Sequence, residues 1–348
     1  MKILHIADLH LVNKDGDLKK HQNEIVERFI DFIKDVTDVD FSLSAHKVDQ
    51  LLITGDLVNG KSVGNTISTE VIDHACETLH SIMAALNICD VRNVHIVPGN
   101  HDLLRTDDDD INVPAFSWEQ KNRRFDKFFW AFCDKFYGSA HNPWNDGHGN
   151  KYCTLEKRID SKKQSDAVGF VYINSALECI HSDVDLTTTL NLHPDVFSLL
   201  SNITSDIDHI FLLAHHPLSW ISEASKTQLN TSLEHLHDDK HRFYWMCGHN
   251  HDTDAGNLNK FIGNPPIAIG SFLGVHGQYY ESPDFAIYDT LDENFPLRVY
   301  RFLNHLNRPL DKNGKPLGGW KLIHITGENT VPIGSRVSFY FSQMYSGC

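Results

Sequence analysis

The sequence predicts an α/β protein of stacked layers. Three observations point there: short apolar runs that each end on polar or glycine-rich residues, helix-compatible stretches between them, and an ordinary globular composition with 41% hydrophobic and 22% charged residues. Strands alternating with helices build a layered domain in which functional loops follow the strand ends.

Lys2 to Ala7 opens the chain as a buried strand, and Ile25, Val26, Phe29, Phe32, Ile33 and Val36 then share one helical face. Further strands are expected at Gln50 to Thr54, Val94 to Val97, Gly169 to Ile173, His209 to Ala214, Phe243 to Cys247 and Ile267 to Gly270. Between two of them, Val71, Ile72, Ala75, Leu79, Ile82 and Met83 predict a helix over Thr69 to Leu86. Residues 103 to about 165 interrupt the rhythm as a helical insert. It opens with the acidic run Asp107 to Asp110 and continues with a stripe of Phe125, Phe128, Phe129, Phe132 and Phe136. Helical spacing reads this stripe as core of the insert, with a base-stacking surface as the alternative. From Asp284 onward, Phe285 to Tyr288, Leu297 to Phe302, Trp320 to Ile325 and Val337 to Phe341 are strand-like between turns. The division expected is a domain over residues 1–290 and a β-rich C-terminal appendage over 291–348.

Lys plus Arg number 31 against 46 Asp plus Glu, a net charge of −15, which argues against a broad basic face for nucleic-acid phosphates. Bound divalent cations could still attract a phosphate locally. The seven cysteines, widely spaced and without C-x-x-C, suit reduced thiols. No apolar run approaches the roughly 18 residues of a membrane span, and the first residues lack a signal-peptide stretch. A soluble, cytoplasmic protein with no membrane partner is expected. The 23 histidines stand out, since imidazole is the commonest metal ligand.

Five polar clusters follow apolar runs: Asp8-Leu9-His10, Gly55-Asp56-Leu57, Gly99-Asn100-His101-Asp102, His215-His216-Pro217 and Gly248-His249-Asn250-His251. Side chains at the carboxyl ends of neighbouring strands converge on one crevice. Carboxylate, imidazole and amide oxygen together suit Mn, Fe or Zn rather than calcium, and their number suffices for two ions. Glycine before Asp56, Asn100 and His249 allows sharp turns there. Taken singly, Asp8 or Asp56 reads as a cap, Asn100 as a turn residue and His215 as a buried histidine. Their joint order reverses that reading.

These clusters, in this order, resemble the calcineurin-like metallophosphoesterase superfamily, whose pattern is D-x-H, G-D, G-N-H-D/E, a later His and G-H-x-H. The resemblance spans roughly residues 1 to 290 and implies a layered β-sandwich core flanked by helices. It implies that Asp8, His10 and His251 hold one metal, that Asn100, His215 and His249 hold the other, and that Asp56 bridges them. His216 is the alternative to His215. The implied cofactors are two divalent transition-metal ions, Mn²⁺ first with Fe or Zn as alternatives, and a hydroxide shared by them attacks phosphorus in line. His101 would stabilise charge or protonate the leaving oxygen, with Asp102 orienting its ring.

Departures from subfamily patterns narrow the branch. Gly55-Asp56-Leu57-Val58-Asn59-Gly60 lacks the Asp-Arg-Gly of phosphoprotein phosphatases, and Asn59 stands where purple acid phosphatases carry a tyrosine ligand. A phosphodiesterase acting on a nucleotide or another small diester ranks first. A nuclease acting on single-stranded DNA or RNA ranks second, because Arg123, Arg124, Lys127 and Lys135 lie among the insert's aromatics. A catalytically inactive interaction scaffold ranks third, because every ligand position is filled.

Overall fold

The structure is a computed structural model that describes residues 1–12, 16–35, 48–59, 69–103, 117–145, 151–159, 167–179, 190–236 and 241–250. Shorter described stretches are 267–268, 272–273, 275–276, 279–280, 284–289, 297–303 and 319–325. In chain order the first strands are β1 (Lys2–Ile6), β2 (Gln50–Thr54), β3 (Val94–Val97), β4 (Cys153–Ile159) and β5 (Ala167–Ile173). Next come β6 (His209–Leu213), β7 (Arg242–Cys247), β8 (Ile267–Ala268) and a small ribbon of β9 (Val275–His276) with β10 (Tyr279–Tyr280). The last are β11 (Asp284–Asp289), β12 (Leu297–Leu303) and β13 (Gly319–Ile325).

Two sheets result. One has the order β13-β12-β11-β1-β2-β3 and the other β4-β5-β6-β7-β8. β1, β2 and β3 run parallel, as do β5 to β8, so the ends of β1, β2, β3, β6 and β7 can each deliver a loop to one crevice. Of the strands expected as an appendage, β12 pairs antiparallel with β11 and β13 antiparallel with β12, so both continue the first sheet. Val337 to Phe341 lies outside the described residues.

Alternation along the second sheet shows how the layers close. Val168, Phe170, Tyr172, Phe211, Leu213, Tyr244 and Met246 join the core shared with the first sheet. Their neighbours Val171, Ile173, Ile210, Leu212, Phe243 and Trp245 face a second core instead. Successive side chains of a strand point to opposite faces, so a run apolar at every position serves both. The outer core is filled by α5 (Pro194–Ser201) and α6 (Glu223–Leu233) through Val196, Leu200, Leu229 and Leu233.

Helices α1 (Asp17–Asp35) and α2 (Thr69–Ala85) lie N-terminal to the insert helices α3 (Trp118–Arg123) and α4 (Ala131–Tyr137). A turn of π-helix, Asp126–Trp130, separates the latter pair and carries Phe128 and Phe129 of the stripe. The phenylalanine stripe is buried in the main core throughout. Each such ring contributes about 1.5–3 kcal/mol by leaving water. The insert also covers the edge of the first sheet: Tyr137 Oη donates to the Val94 carbonyl at 2.9 Å and Trp144 Nε1 to that of Ile96 at 3.0 Å. An uncovered edge strand invites pairing with another chain, and these bonds cap it.

Within the stretch expected as helical insert, Cys153–Ile159 is instead β4, antiparallel to β5. Its Glu156, Lys157 and Arg158 suit a half-exposed edge and hid the strand from an apolar-run reading. No disulfide joins the cysteines among the described residues. Among the described residues, no helix is long and apolar enough to cross a membrane.

Candidate metal centre

All the candidate residues that are described, namely Asp8, His10, Asp56, Asn100, His101, Asp102, His215 and His249, follow the ends of β1, β2, β3, β6 and β7. His251 lies outside the described residues, as do Arg105 and Asp107 to Asp110.

The loops carrying these side chains are built under strain. Asp8, His10, Asp56 and His249 have φ of 50°, 45°, 51° and 71°. Such values are uncommon for residues with a Cβ and persist only where surrounding bonds enforce them. Here the loops after β1 and β2 zip together: the N–H of Asp8 donates to Gly55 O, that of His10 to Asp56 O and that of Leu11 to Leu57 O, over 3.2, 2.9 and 2.9 Å. Gln22 of α1 clamps the same turn, donating to His10 O at 2.8 Å and accepting from Val12 N–H at 3.1 Å.

Gly55 and Gly248 are among the glycines required by close approach. At Gly55, with φ +86°, a Cβ would sit 2.5 Å from His215 Nδ1. At Gly248 it would collide with the Asp8 carboxylate and lie 2.7 Å from Ala7 Cβ.

Asp56 is the centre of the cluster. Its Oδ2 lies 3.4 Å from His215 Nε2, 3.7 Å from His10 Nε2 and 4.0 Å from His101 Nε2, while Oδ1 accepts the His101 backbone N–H at 2.7 Å. His215 Nδ1 donates to the Thr54 carbonyl at 2.9 Å, which leaves the Nε2 lone pair facing Asn100 Oδ1 at 2.8 Å. His249 Nδ1 completes the group, 3.1 Å from His215 Nε2 and 3.2 Å from Asn100 Oδ1. Lone pairs held this close repel one another unless a cation lies among them, so the donor set fits a metal. Ligand atoms of Asp8, Asp56 and His215, and likewise of His10, Asp56 and His101, lie within 4.8 Å of one another. Buried carboxylates with imidazoles suit a divalent transition metal.

Two side chains behave differently from expectation or from each other. In place of the expected contact to the His101 ring, the fully buried Asp102 carboxylate accepts backbone N–H bonds from Gly99 at 2.9 Å and Val58 at 3.2 Å, and from Leu57. Three inward N–H donors outcompete a neighbouring ring, so Asp102 is a brace that ties the loop after β3 to the loop after β2. Burial, and then the charge of Asp56, holds its carboxyl well above the usual range. The rings of His215 and His216 stand edge-on, 4.8 Å between centroids, and with His249 they bring three ligand atoms within 4.8 Å of one another, yet the two take different hydrogen-bond partners. His216 is fully buried with Nδ1 3.0 Å from Ser175 Oγ and Nε2 3.3 Å from Cys179 Sγ, and burial, with His249 and His215 nearby, keeps it neutral.

His101 is partly exposed and its ring stands edge-on to His10 at 4.8 Å. Sequence reasoning missed Gln22, Ser175 and Trp220. Ser175 Oγ accepts the backbone N–H groups of both His215 and His216 at 3.1 Å. Trp220 lies 4.4 Å from the His249 ring, and the only sequence signal for it is an aromatic residue in the loop that follows His215-His216-Pro217.

The sequence profile of the calcineurin-like phosphoesterase family matches residues 1–253, and the chain belongs to that family. The family is one of phosphoesterases. The uncharacterized metallophosphoesterase-like protein YydB of Bacillus subtilis is 21% identical over 315 residues, covering 87% of this chain and 59% of its own length. The chain therefore spans about three fifths of that relative. Among solved structures, the 5'-nucleotidase of Candida albicans is 11% identical with a TM-score of 0.38, covering 82% of this chain and 47% of its own. Zinc-complexed Vps29 of Entamoeba histolytica is 11% identical with a TM-score of 0.32, covering 96% and 99%.

Proposed function

We propose that the protein is a two-metal phosphodiesterase acting on a nucleotide or another small diester. The observation that carries this choice over a nuclease is the burial of the phenylalanine stripe. Rings spent on the core and on the edge of the first sheet offer no platform for stacked bases. Arg123 pairs with Glu119 and Lys135 with Asp73, so these cations are already neutralised by neighbours.

In this reading Asp8, His10 and His251 hold one ion, Asn100, His215 and His249 the other, and Asp56 is shared. Bound there, divalent ions, Mn²⁺ first, supply an activated water and neutralise charge on the phosphoryl oxygens. His101 gives a proton to the leaving oxygen, and its backbone N–H fixes the Asp56 carboxylate. Asp102 holds the two loops in register. The catalytic unit covers residues 1–290, with 291–348 as a β-rich C-terminal appendage, and the protein works in the cytoplasm.

The test is turnover of bis-p-nitrophenyl phosphate and of a single-stranded oligonucleotide by Mn²⁺-loaded protein, from about 50 to 200 mM salt. Efficient cleavage of the small diester with weak salt dependence is expected. Oligonucleotide cleavage with a steep salt slope and negligible small-diester turnover would establish the nuclease instead. No turnover of either would favour a scaffold.

A further inference from the structure

A half-buried tryptophan stands at the rim of the cluster, and the chemistry above does not use it. Trp220 ends the short helical turn Leu218–Trp220 that follows His215-His216-Pro217. Its ring meets His249 edge-on, 4.4 Å between centroids at 81°, and lies 5.9 Å from the His216 ring. Its backbone is held from two sides: the N–H donates to Pro217 O at 2.9 Å, and the carbonyl accepts from Leu190 N–H at 3.1 Å. Leu190 and Ile221 form a bridge beside it, and part of the indole packs on the second core. The ring is therefore in position before a ligand arrives, so a ligand stacking on it loses little to ordering.

A flat, partly exposed indole beside polar ligand atoms supplies what a small-molecule site needs, an apolar wall next to a few orienting groups. Its place relative to His101 narrows the occupant. His101 reaches the cluster through His10 and Asp56, whereas Trp220 reaches it through His249. A proton donor serves the oxygen that leaves, so a wall on a different member of the cluster serves the substituent that stays. We infer that Trp220 forms a subsite for the ester group retained on phosphorus and selects a flat aromatic group there, such as a nucleoside base or an aryl ring. This inference rests on the phosphodiesterase reading for the identity of the substrate, but not for the existence of the subsite.

Two diesters with the same p-nitrophenolate leaving group separate recognition from the chemical step. The p-nitrophenyl ester of thymidine 5'-phosphate retains a nucleoside on phosphorus, and ethyl p-nitrophenyl phosphate retains an ethyl group. Trp220→Ala should lower kcat/KM for the thymidine ester about tenfold, through KM, as loss of one stacked base typically does. The loss on the ethyl ester should be several-fold smaller, and Trp220→Phe should recover most of the difference. Equal losses on both esters would overturn the proposal. Calorimetric binding of thymidine monophosphate to the Mn²⁺-loaded protein gives a readout without turnover: Trp220→Ala should weaken it about tenfold and affect inorganic phosphate much less. Unchanged affinity for the nucleotide would equally overturn the subsite. Wild-type protein that cleaves neither ester, yet binds the nucleotide through Trp220, would remove the diesterase reading and leave the subsite standing.

Discussion

The backbone N–H of His249 donates to Oδ2 of Asp8 over 2.9 Å, and this bond joins the end of β7 in one sheet to the end of β1 in the other. With His215 Nδ1 bonded to the Thr54 carbonyl, it makes the cluster a joint between the two layers. Gly248 permits the approach, since a Cβ there collides with the same carboxylate. Gly248→Ala should therefore weaken metal binding and lower stability by more than about 1 kcal/mol, the scale for alanine placed where the backbone has no room. Metal titration together with urea unfolding checks both effects, and normal affinity in this variant would show that the joint is not needed.

Asp56→Asn keeps the shape of the side chain and removes the charge nearest to His10, His101 and His215. Because Asp56 sits at the centre of the donor set, the loss should exceed the roughly 10–100-fold of a change outside the ligand sphere. Elemental analysis after Mn²⁺ loading should fall from about two ions per chain, as expected of a two-metal hydrolase. Full occupancy with full turnover would take Asp56 out of the centre.

His101→Ala should keep the metals, because this ring acts on the substrate in the proposed role. Turnover should fall about 10²- to 10⁴-fold for a poor leaving group and less for p-nitrophenolate, which needs little protonation. Equal losses for both leaving groups would deny His101 the acid role.

His5 sets a limit on acid stability away from the cluster. Its Nε2 bonds Thr54 Oγ1 at 2.8 Å inside the core, and burial pulls its pKa from 6.5 down to about 3. The unfolded chain therefore binds a proton between these values that the folded chain refuses. This contribution to stability is present above about pH 6.5 and is lost as pH falls toward about 3, by up to about 1.4 kcal/mol per pH unit. Urea unfolding in a chelator at pH 7, 6 and 5 should give a shallower decline for His5→Gln than for the wild type. Parallel declines would assign the acid sensitivity to other groups.

Phe129→Ala removes a fully buried ring that touches Trp130 and Trp144 at 4.8 and 6.2 Å between centroids. It should cost about 3–5 kcal/mol of folding stability. Denaturant titration measures this, and a cost near zero would mean that the stripe does not belong to the core.

The five polar clusters were legible in the sequence because their chemistry is local: each lies within a few residues of an apolar run long enough to read as a strand. Gln50 to Thr54 and Val94 to Val97 match their strands residue for residue. The helical spacing of the phenylalanines likewise carries its own meaning, since a ring every three or four residues needs one apolar surface to cover it.

What the tertiary structure alone decided concerns groups whose partners are distant along the chain. β4 was hidden because an edge strand tolerates charges, Lys157 at an exposed position and Glu156 at a half-buried one that bonds Tyr172. Asp102 adjoins His101, yet its direction was set by N–H donors such as that of Val58, 44 residues away. Two adjacent histidines follow β6 and look alike as letters, but Ser175 and Cys179 draw His216 into the core while Thr54, 161 residues before His215, turns the other ring toward Asp56. Trp220 acquired a place at the cluster only through His249. Local spacing determines which residue types can stand at strand ends; the packing of one sheet on the other determines which of their atoms meet, because hydrogen-bond partners and buried volume are properties of the folded arrangement.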